Sequence, residues 1–211
     1  FLMLIKNAIW IWRMRKSPDV SYLTESEMSF SERYASADSK EVYLKGRSGL
    51  RAFASLYASI APSDVKIEIT KSGKPFFENI AGLHFNISHS GSEVAIAFSA
   101  SPVGFDMEVV DRKRDCLAIA ERFFTAEESR EVKMAGDSAN ELFVRLWTAK
   151  EAMLKLSGEG LVGGLDRAIS LSEQEGRLAD QRIHLARLDW EGVVGCVASF
   201  ESIAKVEVEV H

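Results

Sequence analysis

Apolar and polar residues alternate along several short segments in the first half of the chain, which predicts β-strands there. The segments predicted in this way are residues 65–70, 83–89 and 94–99, and the mainly apolar residues 8–14 are predicted to form a buried first strand. Apolar residues three and four positions apart predict a helix over residues 39–59, which Pro62 would end. Ser90-Gly91-Ser92 has the composition of a tight turn, so the last two strands are predicted to form a hairpin.

The second half begins with another alternating segment, residues 103–110, and continues with helices. Helices are predicted over residues 116–124 and 140–156, and Thr125 and Glu128 have the spacing of a capping box that opens a third helix between them. Strands are predicted again at residues 168–171, 182–188, 193–200 and 204–210. The predicted fold class is therefore α+β, and the centre of the chain is predicted to be β-meander-like because residues 103–110 follow the hairpin directly.

The segments 103–109 and 204–210 have similar sequences, and each would close a group of helices followed by a hairpin. Two similar α+β halves would explain this echo. Alternating strands also produce such echoes by chance, so the pattern alone leaves an internal duplication open.

Composition narrows the range of partners and compartments. The 211 residues carry 26 basic and 31 acidic side chains, a net charge of −5, which argues against a broad nucleic-acid-binding surface. Cys116 and Cys196 form no CxxC motif, so neither a disulfide framework nor a zinc site is expected, and the predicted compartment is a reducing cytoplasm. The apolar run at residues 1–12 is too short for a membrane span and lacks the pattern of a signal peptide, so we expect a buried strand there.

Two carboxylates lie together on the predicted strand 103–110. Side chains alternate across a strand, so Asp106 and Glu108 share one of its faces. Their β-carbons would lie about 6–7 Å apart, which allows the carboxyl oxygens to share a hard cation. The alternative is that both carboxylates simply face solvent on an edge strand.

The helix predicted over residues 140–156 is apolar on two sides, and the narrow gap between its apolar stripes holds Glu151 and Lys155. Burying charged side chains costs desolvation free energy, so a buried Glu151 and Lys155 are expected to have a structural or catalytic role. Their spacing allows a structural ion pair within the helix. Alternatively, Glu151 is a third carboxylate directed at Asp106 and Glu108. Three carboxylates without His or Cys suit Mg²⁺ or Mn²⁺ rather than Zn²⁺, and Mg²⁺ usually binds together with a substrate phosphate.

Several groups that could bind an anion lie in the first half. Ser88 and His89 are near the predicted hairpin tip, Lys74 is in a turn, and Arg47 is on the predicted helix. Each is as easily explained as an exposed or internally satisfied side chain. Together with the carboxylates they indicate phosphate chemistry, without naming a reaction.

Five groups of residues follow one another in a specific order between residues 73 and 161, with Gly46-Arg47 upstream. They are Gly73-Lys74-Pro75, Phe85-Asn86-Ile87-Ser88-His89-Ser90, Val103-Gly104-Phe105-Asp106-Met107-Glu108, Arg122-Phe123-Phe124 with Glu128, and Trp147-Thr148-Ala149-Lys150-Glu151-Ala152-Met153-Leu154-Lys155. In this order and spacing they resemble the 4′-phosphopantetheinyl transferases. The length fits the large, single-chain type that activates fatty acid, polyketide and nonribosomal peptide synthases.

The resemblance implies an enzyme that moves the phosphopantetheinyl arm of coenzyme A to a serine hydroxyl of an acyl or peptidyl carrier protein and releases adenosine 3′,5′-bisphosphate. It implies two similar α+β halves about a pseudo-twofold axis, here residues 1–102 and 103–211, with coenzyme A in the cleft between them. It also implies dependence on Mg²⁺, with Mn²⁺ as the alternative ion. We expect a monomer, because both halves are in one chain, and neither nucleic acid nor a membrane as a partner.

By position in the matching motifs, the resemblance assigns Asp106, Glu108 and Glu151 as the catalytic carboxylates and the Mg²⁺ ligands. Glu151 is also the group that would accept the serine proton, directly or through water. Lys155 would contact the pyrophosphate and stabilise the leaving group. Glu128 matches an acidic position whose part in the reaction the resemblance does not specify.

The resemblance also assigns residues that bind coenzyme A in the first half. His89, with Ser88 beside it, would hydrogen-bond a phosphate oxygen. Arg47, Lys74 and Pro75 would hold the nucleotide end.

Two departures from the family pattern concern charge. Family members usually carry an upstream basic cluster that grips the 3′-phosphate of coenzyme A, whereas residues 29–40 offer only Arg33 and Lys40. Glu159 stands where relatives often have a basic residue, which would alter the docking of the carrier protein. Because carrier proteins are acidic and this chain has a net charge of −5, we expect docking through an apolar patch with a few local cations.

Two other functions use the same residues differently. A Mg²⁺-dependent phosphohydrolase or nuclease would turn over coenzyme A or nucleic acid with no carrier present. A non-catalytic coenzyme A-binding module would not need Glu151, and the presence of all three carboxylates with Lys155 argues against that module.

Overall fold

A computed structural model describes residues 7–110, 114–158, 175–178 and 181–211. The chain divides into two compact units, Phe1–Pro102 with Ala204–His211, and Val103–Ile203. In chain order the strands and helices are β1 (Ala8–Arg13), α1 (Glu25–Ser31), α2 (Ala37–Ala58), β2 (Ile67–Ile69), β3 (Pro75–Phe77), β4 (His84–Ser90), β5 (Glu93–Ser99), β6 (Val103–Val109), α3 (Cys116–Phe123), α4 (Ala126–Met134), α5 (Ala139–Ser157), β7 (Glu175–Leu178), β8 (Gln181–Trp190), β9 (Val193–Ser199) and β10 (Lys205–Val210). The predicted α+β class is confirmed. The predicted strand 168–171 and Glu159 lie outside the described residues.

The first unit is a four-stranded sheet with α2 packed on one face. Its strand order is β10-β1-β5-β4, in which β10 runs parallel to β1 and the other pairs are antiparallel. Trp12, Phe53 and Phe98 join helix to sheet, with the Phe53 and Phe98 rings stacked 3.7 Å apart. The helix lies close because position 49 is glycine: a β-carbon there would stand 2.8 Å from Cδ1 of Ile96.

Helix α2 ends within one residue of its predicted end at residue 59, before Pro62. Its last residue is Ala58, and Ser59 takes the left-handed conformation at φ 55°. The backbone N–H of Ile60 then donates to the carbonyl of Ser55, which satisfies one terminal acceptor. Pro62 instead opens a short 3₁₀ turn, where its missing N–H costs nothing.

The second unit is an antiparallel sheet with α5 buried against it. The strand order is β6-β9-β8-β7. One side of α5, including Ala149, Ala152 and Met153, packs on β8 and β9. Its other side, including Phe143 and Trp147, packs with residues of α3 and α4. The prediction that this helix is apolar on two sides is therefore confirmed.

Strand pairing differs from the predicted meander. The β4–β5 hairpin forms as predicted, with Gly91 at φ 58° in its turn, but β6 pairs with β9 rather than with β5. Strand β6 therefore opens the second unit instead of closing the first. Alternation identifies a strand but not its neighbour, because pairing depends on hydrogen bonds between distant segments.

The sequence echo between 103–109 and 204–210 does not mark equivalent strands. Strand β6 pairs with β9 of the β8–β9 hairpin, and β1 pairs with β5 of the β4–β5 hairpin. In its sheet, β6 therefore takes the position that β1 takes in the other sheet. Strand β10 instead adds to the first unit beside β1. Residues 204–211 thus lie with the first unit, in contrast to the predicted second half of 103–211.

Two predictions from composition concern cysteines and membranes. Cys116 and Cys196 are free cysteines, and full burial raises the pKa of the Cys196 thiol to about 12. Within the described segments, no helix combines the length and apolarity needed to cross a bilayer.

Candidate functional site

The candidate site of the second unit depends on an unusually close approach of α5 to β6. A β-carbon at Gly104 would lie 1.9 Å from the carbonyl oxygen of Ala152 and 2.5 Å from the backbone nitrogen of Leu156. Only glycine leaves room for the helix at this distance. The approach brings Lys155 to β6, where its Nζ donates to Oδ1 of Asp106 at 2.7 Å.

The three predicted carboxylates interact electrostatically, because the charges of Asp106 and Glu108 act on Glu151. Asp106 is buried and Glu108 is partly buried, and Glu108 accepts from Arg114 at 3.2 Å. Burial raises the pKa of Glu151 to about 7, and the negative charges of Asp106 and Glu108 add to this rise. Glu151 therefore changes its charge near neutral pH.

An ion pair within α5 was one of the two alternatives for Glu151 and Lys155, and the structure gives Lys155 a partner outside that helix. Its bond goes to Asp106, 49 positions away in sequence. The charge of Lys155 lowers the pKa of Glu151, but less than burial and Asp106 raise it. Contact between helix and strand therefore outweighs the favourable spacing within the helix.

The donor chemistry of this cluster fits a hard divalent cation, since it offers carboxylate oxygens only. Burial is the main cause of the raised pKa of Glu151, and the negative charges of Asp106 and Glu108, which a cation would offset, add to it. Among the residues described, no three acidic, His or Cys side chains are arranged tightly enough to hold an ion. In this structure Lys155 and Arg114 supply the positive charge beside Asp106 and Glu108.

Sequence reasoning missed the buried ion pair next to Glu151. Lys150 has no exposed surface, and its Nζ lies 2.9 Å from Oε2 of Glu128 and 5.2 Å from the ring centre of Phe124. Position 150 falls within the apolar stripe that contains Phe143 and Trp147. A lysine inside such a stripe was the available signal of a buried charge.

Glu128 has two roles in this arrangement. The predicted capping box is confirmed: Oε2 of Glu128 accepts from the backbone N–H of Thr125 at 2.9 Å, and Oγ1 of Thr125 accepts from the N–H of Glu128 at 3.2 Å. The same Oε2 binds Lys150. Glu128 therefore joins the start of α4 to α5, one residue before Glu151.

A pocket of about 830 Å³ in the first unit contains part of the predicted nucleotide-binding set. Arg47, Pro75 and His89 line it. Ser88 is buried on the opposite side of β4, because side chains alternate along a strand. Lys74, in the turn before Pro75, is not among the lining residues, and partial burial lowers its pKa.

The pKa of Glu151 predicts a pH-dependent stability in the metal-free protein. Its pKa is raised from 4.5 to about 7 on folding, so the folded state binds the proton more tightly. Stability should therefore fall as pH rises from about 4.5 to about 7 and then level off as far as this group is concerned. Melting temperatures in EDTA across this range should show a shallower fall for Glu151→Gln than for the wild type.

Glu121→Gln is the matched control, because Glu121 is exposed on α3. This variant should show the same fall of melting temperature with pH as the wild type. An equal fall for Glu151→Gln and the wild type would contradict the raised pKa of Glu151.

Comparison with known proteins covers both units. A family model described as the 4′-phosphopantetheinyl transferase superfamily matches residues 102–195, and one described as the N-terminal part of a 4′-phosphopantetheinyl transferase matches residues 15–101. Together they cover most of the chain.

Individual relatives agree with the family models. The 4′-phosphopantetheinyl transferase Sfp of Bacillus subtilis is 30% identical over 161 residues, which are 76% of this chain and 71% of Sfp. The 4′-phosphopantetheinyl transferase HetI of a Nostoc species is 27% identical over 186 residues, 82% of this chain and 78% of HetI. A Synechocystis relative is 32% identical over 151 residues, 70% of this chain, but the match spans only 61% of that protein. By these matches the chain belongs to the 4′-phosphopantetheinyl transferase family.

Proposed function

We propose that this protein transfers the 4′-phosphopantetheine arm of coenzyme A to a serine of an acyl or peptidyl carrier protein. The observation that carries the proposal is the cluster on β6 and α5, where Lys155 binds Asp106 and the pKa of Glu151 is about 7. Membership of the family supports it, since the relatives are named for this transfer. The expected setting is a monomer in the cytoplasm.

Glu151 is the proposed general base. A carboxylate with an ordinary pKa is a weak base at neutral pH, whereas the pKa of about 7 that Glu151 has in the ion-free cluster is matched to the working pH. The serine oxygen would attack the phosphorus that carries the pantetheine arm, and its proton would pass to Glu151, directly or through water. The bond from that phosphorus to the bridging oxygen would break, releasing adenosine 3′,5′-bisphosphate.

Lys155 is the proposed stabiliser of the leaving group. Its ammonium is partly exposed and held at Asp106, so it is fixed in place yet able to meet a phosphate. Fixed positive charge at a developing phosphate charge is the main way a protein accelerates phosphoryl-type transfer. A lysine already ordered by Asp106 needs little reorganisation when substrate binds.

Asp106, Glu108 and Glu151 are the proposed ligands of a Mg²⁺ or Mn²⁺ ion. When bound, such an ion would supply Lewis-acid neutralisation of phosphate charge. Glu108 lies on the same face of β6 as Asp106, which supports the proposal that both carboxylates bind one ion.

The nucleotide end of coenzyme A is proposed to bind in the first unit. Arg47, Pro75 and His89 line the pocket there, and Lys74 and Ser88 are neighbours of these residues in sequence. His89 is exposed, so its imidazole is available to a phosphate oxygen.

Intact-protein mass spectrometry tests the transfer. Apo carrier proteins from fatty acid, polyketide and peptide synthases are incubated with the protein, coenzyme A and Mg²⁺. We expect the mass of one phosphopantetheinyl arm to be added to at least one carrier, and the addition to be lost with EDTA or with Asp106→Ala.

The matched control is Asp137→Ala, an exposed carboxylate outside the cluster, which should retain transfer. Absence of transfer to every carrier, with coenzyme A shown to bind, would contradict the proposal. Cleavage of coenzyme A without a carrier would instead indicate a phosphohydrolase.

A further inference from the structure

Glu108 has a cationic partner that the proposed reaction does not use. Nη2 of Arg114 donates to Oε2 of Glu108 at 3.2 Å. Lys155, which binds Asp106, has a proposed role at the leaving group, whereas Arg114 has none. The side chains of Arg114 and Glu108 are 31% and 18% exposed, so their contact is partly shielded from water. Charges in such a setting interact more strongly than charges on an open surface.

The local structure orders the backbone of Arg114. Arg114 directly precedes Asp115, the N-cap of α3, whose carboxylate accepts from the backbone N–H of Ala118 at 3.1 Å. The carbonyl of Arg114 accepts from the N–H of Cys116 at 2.9 Å. Glu108 belongs to β6, which is hydrogen-bonded to β9. The ion pair therefore joins two ordered elements through long side chains, which can separate by rotation about their own bonds.

Arg114 and a divalent ion would compete for the same carboxylate. Oε2 of Glu108 already accepts from the guanidinium, and an ion bound to Glu108 would be repelled by that positive charge. The repulsion is twice as large for a divalent ion as for a monovalent one. The arrangement agrees with such competition. In the segments that the structure describes, no three potential ligands are close enough to hold an ion, whereas the carboxylates of Asp106 and Glu108 each contact a side-chain cation.

We propose that Arg114 is an internal counter-ion of Glu108 that a divalent ion has to displace, so that Arg114 weakens the binding of Mg²⁺ or Mn²⁺ to the protein without coenzyme A. The inference rests on the proposed function, which makes Glu108 a ligand of the ion. The phosphates of coenzyme A bring negative charge that offsets Arg114, so the ion should bind more tightly together with this donor than before it.

Two other roles of the ion pair lead to different results. If Arg114 instead orients Glu108 toward the ion, removing Arg114 weakens ion binding. If the pair only contributes to the stability of the fold, as partly exposed pairs do to a small extent, removing Arg114 leaves ion binding unchanged. The sign of the change in ion affinity therefore distinguishes the three roles.

Mn²⁺ binding without coenzyme A tests the inference apart from any transfer reaction. Free Mn²⁺ is measured by electron paramagnetic resonance while the protein is titrated at low ionic strength. Arg114→Gln should bind Mn²⁺ about three- to tenfold more tightly than the wild type, because a repelling charge has been removed. Arg114→Lys keeps the charge, so its dissociation constant should stay within about twofold of the wild-type value.

Two further variants locate the effect. Arg130→Gln is the matched control, because it removes an equal charge from an exposed position on α4, and its Mn²⁺ affinity should equal that of the wild type. When Glu108→Gln is already present, Arg114→Gln should tighten binding by less than about twofold, since the carboxylate for which Arg114 and the ion compete is gone.

Transfer assays then separate this inference from the proposed function. Arg114→Gln should lower the Mg²⁺ concentration that gives the half-maximal rate of transfer. Unchanged or weaker Mn²⁺ binding by Arg114→Gln, an equal gain in Arg130→Gln, or no Mn²⁺ binding by either the wild type or Arg114→Gln would overturn the inference. Any of these results together with normal transfer would leave the proposed function intact. Tighter Mn²⁺ binding by Arg114→Gln without transfer to any carrier protein would contradict the proposed function and support the role of Arg114.

Discussion

Gly104→Ala should destabilise the second unit by about 3 kcal/mol, the upper part of the usual range for overpacking a core. The added β-carbon would lie 1.9 Å from the carbonyl oxygen of Ala152 and 2.5 Å from the nitrogen of Leu156. Both are backbone atoms of α5, so no side-chain rotation can relieve the overlap. The helix would have to move away from β6, and the measurement is urea unfolding of variant and wild type.

The same displacement should abolish transfer. The bond between Lys155 and Asp106 spans the interface that Gly104 keeps close, and it is only 2.7 Å long in the native arrangement. A shift of about 1 Å at a catalytic group is enough to cost about 100-fold in rate. Activity should therefore be lost even under conditions in which the variant is folded by circular dichroism.

Gly46→Ala is the matched control for stability. A β-carbon there would lie 3.7 Å from Ile87, an ordinary contact, and alanine is favoured over glycine in a helix by about 1 kcal/mol. We expect this variant to be at least as stable as the wild type. Wild-type stability in Gly104→Ala would show that α5 and β6 are not packed as described.

Lys150→Met should cost about 3–5 kcal/mol, the range for removing one partner of a buried ion pair. Lys150 is fully buried, and its loss leaves the carboxylate of Glu128 buried without a counter-charge. Oε1 of Glu128 has no hydrogen-bond partner among the described residues, so Oε2 makes all of its polar contacts. Chemical unfolding should show the loss directly.

A double mutant separates the charge from the packing. Glu128→Gln alone should also destabilise, whereas adding it to Lys150→Met should cost less than the sum of the two changes, because no uncompensated charge remains. Arg145→Met is the control for an exposed pair: Arg145 binds Glu141 and Asp189, both largely exposed, and should cost no more than about 1 kcal/mol. Additive effects at positions 128 and 150 would contradict a coupled buried pair.

Much of the local structure could be predicted from sequence periodicity. The hairpin of β4 and β5, the capping box at Thr125 and the two-sided burial of α5 were all predicted from spacing. These features depend on residues only a few positions apart, so the local sequence is enough to predict them. Ser59 was harder, since a non-glycine residue in the left-handed conformation has no clear sequence signature.

The candidate site was predictable only in part. Alternation alone places Asp106 and Glu108 on one face, and helical spacing directs Glu151 away from solvent. The partner of Lys155 was predicted less well, because the nearest acidic residue along the helix is Glu151 while the bonded one is Asp106. The buried charge of Lys150 was visible as an interruption of an apolar stripe, but its partner Glu128 was not.

The sequence by itself determined the elements, the α+β class and the family to which the chain belongs, because periodicity, caps and ordered motifs are local properties. The tertiary structure decided which strands pair, that β10 joins β1, and which charges meet. Those outcomes depend on contacts between residues far apart in the chain, as with Gly104 and Ala152 or Asp106 and Lys155. The sequence around each of these residues is the same whichever distant residue it contacts, so only the packed structure identifies the partner.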